Sequence, residues 1–191
     1  MRKNICVFCG ASVGNSPAYA EAARLLGHTL AKQGRRLVYG GGSKGLMGIL
    51  ANAALEAGGE VCGVIPQRLV EAETAHYGLS ELEVVPDMHV RKARMAELSD
   101  GFIALPGGIG TLEELFEMWT WSQIGYHNKP IALLDVDNYY QKLVDFLRFS
   151  AEQGFVRQVY VDTLVTLQDP EALLAHFDTY RPHNLDRWAK E

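Results

Sequence analysis

The sequence predicts a doubly wound α/β fold, a parallel sheet covered by helices on both faces. Three observations predict it. Short apolar runs alternate with longer helical stretches along the chain, most of those runs are rich in Val, Ile and Leu with little polar alternation, and 191 residues suffice for one such sheet.

The first strand is expected at residues 4–9, where Asn4-Ile-Cys-Val-Phe-Cys9 reads as a buried run. A helix over 17–33 leads to a strand at 36–39, and a helix over 45–57 leads to a strand at 60–65. A strand at 82–85 follows, then a helix over 88–98 and a strand at 101–105. The helix over 111–123 carries an apolar face of Leu112, Leu115, Phe116 and Trp119. A strand at 130–135, a helix over 138–152, a strand at 162–167 and a helix over 170–177 complete the pattern. Such alternation implies parallel pairing through right-handed crossovers. No repeat, low-complexity tract or linker interrupts it, so one domain is expected over residues 1–180, with 181–191 a terminal tail of no predicted role.

Composition narrows the partners. Apolar residues make up 48% and charged residues 21%, a globular profile. A net charge of −5 offers no overall basic field to draw the chain onto nucleic acid or an anionic membrane. No apolar run approaches a membrane span, and Ile5 to Cys9 is too short for a secretory leader. With three cysteines, an odd number, a reducing cytoplasmic location is expected. Cys6 and Cys9 form a CxxC, but a redox pair opens a helix and these two lie in a strand, so they read as core. No HxxxH or HExxH spacing marks His76, His89 or His127 as metal ligands, and neither metal nor cofactor is expected.

In open parallel sheets ligands bind beyond the carboxyl ends of strands, where loops meet helix N-termini. Three segments there carry unusual chemistry. Gly40-Gly-Gly-Ser-Lys-Gly-Leu-Met-Gly48 satisfies GxGxxG through Gly40, Gly42 and Gly45, with Gly41 and Gly42 as candidate contacts. The strand after it ends in Pro66-Gln67 without the acid a dinucleotide ribose needs, and Lys44 is followed by Gly45 instead of the Ser or Thr of a Walker loop. A tight turn with no ligand is the plain alternative. Leu105-Pro-Gly-Gly-Ile-Gly-Thr-Leu-Glu-Glu114 is stronger, because Gly107, Gly108 and Gly110 leave amides uncovered at the positive end of a helix. Thr111 and Glu114 also have capping-box spacing, so Glu114 is as readily a cap as a catalyst. Glu113 is expected to face solvent, and Glu117 lies one turn beyond Glu114 on the same face. The third segment, Asp87-Met-His-Val-Arg-Lys-Ala-Arg-Met95, offers Arg91 or Lys92 to the cleft and Arg94 to solvent. Trp119 reads as core, and Trp121 is open between a base pocket and a subunit contact.

Pro106-Gly-Gly-Ile-Gly-Thr-Leu-Glu-Glu114 matches the PGGxGTxxE motif of the Lonely Guy (LOG) family, the cytokinin riboside 5′-monophosphate phosphoribohydrolases. The resemblance extends to Gly40–Gly48, Val64-Ile-Pro66, Asp87-Met-His89 with Arg91, Lys92 and Met95, Trp121-Ser-Gln-Ile-Gly125, and Asn128-Lys-Pro130, covering about residues 4–165. It implies a single Rossmann-like domain, a homodimer, and hydrolysis of N6-modified adenosine monophosphates, in some members AMP. It also implies Arg91 and Glu114 as the catalytic pair, with Glu73, Lys92, Gly108, Ile109, Gly110, Thr111 and Thr120 as substrate contacts. Relatives often carry the label lysine decarboxylase, but the sequence shows no pyridoxal-phosphate lysine context.

Breaking a ribosyl–base bond builds positive charge at the anomeric carbon and negative charge on the base. The expected anchor for the phosphate is the backbone from Gly107 to Thr111, with Glu114 stabilising the cation or activating water. Arginine is a poor proton donor, so Arg91 is expected to orient and stabilise charge. The rival readings are a non-hydrolytic nucleotide or molybdenum-cofactor carrier, which has no need of both Arg91 and Glu114, and an NAD-dependent oxidoreductase, weakened by the missing ribose acid.

Overall fold

Each apolar run forms a strand within one or two residues of its expected bounds. In the computed structural model, which describes residues 3–72 and 74–182, the strands are β1 (Asn4–Phe8), β2 (Arg36–Tyr39), β3 (Val61–Pro66), β4 (Glu81–Val85), β5 (Gly101–Ala104), β6 (Ile131–Leu134) and β7 (Leu164–Leu167). The helices are α1 (Pro17–Lys32), α2 (Gly45–Glu56), α3 (Gln67–Glu71), α4 (Met88–Leu98), α5 (Ile109–Gln123), α6 (Gln141–Glu152), α7 (Gln158–Thr163) and α8 (Pro170–Thr179). The tail beyond residue 182 lies outside the described residues.

The strands form one wholly parallel sheet in the order β4-β3-β2-β1-β5-β6-β7. Their alternate residues divide the core in two. Ile5, Val7, Leu37, Ile103 and Leu134 pack against Leu26, Leu30, Leu50 and Phe177 of α1, α2 and α8. Cys6, Phe8, Val38, Phe102 and Leu133 pack against Met95, Leu115, Trp119, Leu147 and Tyr160 on the opposite face. Burial on both faces explains why the runs lack polar alternation. Cys6, Cys9 and Cys62 are free, buried thiols, as core cysteines should be.

The departures from expectation are local. Helices α3 and α7 were not anticipated, because five or six residues are too few for a helical period to register, and α7 takes residues 162 and 163 from the expected seventh strand. Helix α6 starts three residues late because Asp137 and Asn138 take left-handed backbone, with φ of 52° and 58°. Helix α5 starts two residues early, at Ile109, with Gly108 as its N-cap. No helix among the described residues is long and apolar enough to cross a membrane.

Strand order positions the site. From β1 the sheet grows through β2 to β4 on one side and through β5 to β7 on the other. Loops leaving the carboxyl ends of β1 and β5 therefore part in opposite directions and open a crevice between them, the usual ligand position in such sheets.

Candidate active site

A cavity of about 500 Å³ occupies that crevice, a volume suited to a small-molecule ligand. Its walls are the β1–α1 loop from Cys9 to Gly14, the β5–α5 loop with Pro106, Gly107, Gly108, Gly110 and Thr111, and the side chains of Arg91, Glu113 and Glu114. Tyr19, Leu46, Met47, Met88 and Tyr139 supply the apolar remainder.

The β5–α5 loop carries a run of backbone amides without a protein partner: among the described residues, no acceptor meets those of Gly107, Gly108, Ile109, Gly110 or Thr111. The last three open α5, where unpaired amides and the helix dipole together favour an anion. Gly107 is required sterically: a Cβ there would lie 2.1 Å from Thr111 Oγ1. Thr111 sits within the first turn and Gly108 provides no side-chain cap, so the capping box that the spacing allowed is not formed. Glu114 is thereby released from capping.

Glu114 instead faces Arg91, with its Oε1 3.3 Å from Arg91 Nη2. Asp87 sets up this meeting by capping α4, its Oδ1 accepting from the amides of His89 at 2.8 Å and Val90 at 2.9 Å. One turn later Arg91 and Lys92 both point inward and are buried. The Arg91 guanidinium lies against Gly40, where a Cβ would stand 1.9 Å from Nη2. Gly40→Ala should therefore displace the guanidinium and lower any turnover that depends on the Arg91–Glu114 pair by at least about tenfold, with both side chains kept. Steady-state assay beside a thermal melt checks this; normal turnover would show that Arg91 tolerates the shift.

Burial pushes the Glu114 carboxyl above the ordinary glutamate value; the Arg91 guanidinium pulls it back in part, and Glu113 adds to the rise. Lys92 is held differently. Burial alone would lower it, but hydrogen bonds to Glu113 and Glu117 outweigh that and raise it. Its ammonium pairs with Glu113 and lies 3.0 Å from Glu117. Thus Glu113, expected in solvent, is half exposed and engaged. Arg94, also expected in solvent, forks onto Glu83 at 2.7 and 3.0 Å. Burial drives the Cys9 thiol far above its usual range, so Cys9 lines the cavity as an inert group.

The structure therefore brings together Arg91, Glu114, Gly107, Gly108, Gly110 and Thr111 around one cavity. Lys92 stands behind this wall on its two carboxylates. Ile109 is 88% exposed and outside the cavity lining. Thr120 is exposed on α5 and outside the cavity lining, as are Gly41 and Gly42, which are buried in the turn after β2. There the Gly41 carbonyl accepts from His76 and Gly42 bridges Ala75. Glu73 lies outside the described residues. Sequence reasoning missed the β1–α1 loop, Tyr19 and Tyr139. Gly10 and Gly14, just beyond the first strand, were the available signal for that loop. Trp119 is core, and Trp121 lines a separate cleft of about 340 Å³ with Tyr126, His127 and Lys129. His127 there is lowered to about 4 by burial.

One group of possible metal ligands occurs among the described residues: Cys62, Glu81 and Glu83, on β3 and the edge strand β4. Arg36 bonds Glu81 and Arg94 bonds Glu83, and none of the three lines the cavity.

The chain is similar to known proteins over most of its length. Residues 47–177 match the family model described as possible lysine decarboxylase. The cytokinin riboside 5′-monophosphate phosphoribohydrolase of Rhodococcoides fascians is 49% identical over 174 residues, 91% of this chain and 88% of that protein. One from Arabidopsis thaliana is 46% identical over 180 residues, 94% of this chain and 83% of that protein. Among solved structures, the molybdenum cofactor binding protein of Rippkaea orientalis superposes with a TM-score of 0.71 at 22% identity, covering 94% of this chain and 97% of that one. The molybdenum cofactor carrier protein of Chlamydomonas reinhardtii gives 0.71 at 21% identity, covering 94% and 98%. At such low identity these two establish a shared fold alone. From the matched family model and from relatives of nearly half-identical sequence along almost its whole length, the chain belongs to the Lonely Guy family of phosphoribohydrolases.

Proposed function

We propose that the chain hydrolyses the N-glycosidic bond of adenosine 5′-monophosphates, N6-modified ones included, to free base and ribose 5-phosphate. The observation that carries this reading is the buried Arg91–Glu114 pair on the wall of a cavity that also presents the open amides of Gly107 to Thr111. The amides and the α5 dipole hold the 5′-phosphate, each charge-assisted hydrogen bond contributing about 1.5–3 kcal/mol. Glu114 takes a proton from water as the water oxygen bonds to C1′. The C1′–N bond breaks, and its electron pair leaves with the base, which takes up one proton from solvent while Glu114 returns to solvent the proton it took from water. Arg91 orients Glu114 and stabilises charge beside it. The relatives named as phosphoribohydrolases support the same chemistry.

The enzyme acts in the cytoplasm as a homodimer. The free thiols suit a reducing compartment. Val90 and Ile109, exposed on the two helices that bear the pair, suit cover by a second copy. Incubation with AMP and with N6-isopentenyladenosine monophosphate should release free base and ribose 5-phosphate in equal amounts. Tight binding of both nucleotides without release of either product would replace hydrolysis with a carrier function.

A further inference from the structure

The β5–α5 loop has its carbonyls tied down one after another. Leu105 O accepts from Tyr140 Oη at 2.6 Å, Pro106 O accepts from the Gly10 amide at 3.1 Å, and Gly107 O accepts from Tyr139 Oη at 2.5 Å. A peptide unit is planar and trans, so its C=O and the following N–H point in opposite directions. Holding the Pro106 carbonyl sets the direction of the Gly107 N–H, and holding the Gly107 carbonyl sets that of the Gly108 N–H. Proline has no N–H, so the bond from Tyr140 secures only the end of the strand.

The Gly107–Gly108 peptide most needs such a hold. With glycine on both sides, few contacts oppose its rotation. Turned over, it would present a carbonyl oxygen to an anion where it should present a donor. We propose that Tyr139 is a positioning residue whose hydroxyl locks this peptide with the Gly108 amide facing the phosphate. The proposal rests on the reading that the Gly107–Thr111 amides bind that phosphate.

The tyrosine is itself held from several sides. Asp137 and Asn138, just before it, adopt the left-handed backbone that residues other than glycine seldom take. Ser16 Oγ donates to Asp137 Oδ2 at 3.1 Å, Gln168 Nε2 donates to Asn138 Oδ1 at 3.3 Å, and the Tyr140 amide donates to Asp135 Oδ1 at 2.8 Å. The Tyr139 ring meets Tyr19 and Tyr140 edge-on, at 5.8 and 5.0 Å between centroids. A strained turn pinned at three points presents the hydroxyl to one carbonyl, whereas the ring stays 42% exposed. Substitution of an exposed tyrosine by phenylalanine leaves the core intact.

Tyr139→Phe tests this, with binding of ribose 5-phosphate and of ribose measured on wild type and variant by amide NMR shifts of the 107–111 loop. In wild type, ribose 5-phosphate should shift those amides and bind well above ribose. In Tyr139→Phe the preference for ribose 5-phosphate over ribose should fall about tenfold, KM for AMP should rise in step, and kcat should fall by less. The melting temperature should stay within a few degrees. An undiminished preference in the variant, with wild-type amides responding, overturns the lock alone. Wild-type amides that ignore ribose 5-phosphate overturn the phosphate reading and the lock with it. A purely structural Tyr139 would lower the melting temperature and kcat while leaving the preference for phosphate unchanged.

Discussion

Glu114→Gln should lose turnover by about 10²–10⁴ while nucleotide affinity changes little. Glutamine keeps an acceptor for Arg91 at nearly the same volume, so the cavity wall stays in place, but it cannot take a proton from water. Steady-state kinetics beside equilibrium nucleotide binding separates the two effects, and a variant with near-normal kcat would remove Glu114 from the chemistry. The pH profile gives a second reading. With Glu114 as the proposed base, wild-type activity should be present above the Glu114 pKa and lost as pH falls through it. Burial raises that pKa, which places the acid limb above the ordinary glutamate value of about 4.3, and the variant should lack this limb. Stability moves the other way. A raised acid binds its proton more tightly folded than unfolded, so its contribution is full below the unfolded value and is lost as pH rises through the folded one. Melting temperature against pH should show that decline in wild type and not in Glu114→Gln.

Arg91→Ala should also disable turnover, by about 10² or more, through loss of an oriented charge beside the proposed reacting centre. It differs from the first variant in its pH signature. Without the guanidinium 3.3 Å away, nothing of comparable strength opposes the rise of Glu114, so the acid limb of the residual activity should move to higher pH instead of vanishing. The lone buried carboxylate costs about 3–5 kcal/mol at neutral pH, and the cost should shrink on acidification as Glu114 takes up a proton. Normal turnover, or an unmoved limb, would show that Arg91 serves packing alone.

The legible and illegible parts of the site divide along a physical line. The amide cluster was legible because its cause is local: three glycines within four residues, immediately before a helix with an apolar face. The role of Glu114 was not, because capping and catalysis require the same spacing from Thr111. Placing the N-cap at Gly108 removed the capping-box reading. The same holds for the glycines after β2. Gly40 reads as part of a phosphate loop, yet its missing Cβ makes room for an arginine fifty-one residues away.

By itself the sequence determined the seven strands, the faces of the long helices, the anion-ready loop and the family, since each is written in short-range periodicity or in a contiguous motif. Tertiary structure alone decided that β1 lies between β2 and β5, and that Cys9 to Gly14, Tyr19 and Tyr139 therefore share a cavity with Arg91 and Glu114. Strand order comes from burying two faces of one sheet among distant segments, and no local pattern records which loops that closure brings side by side.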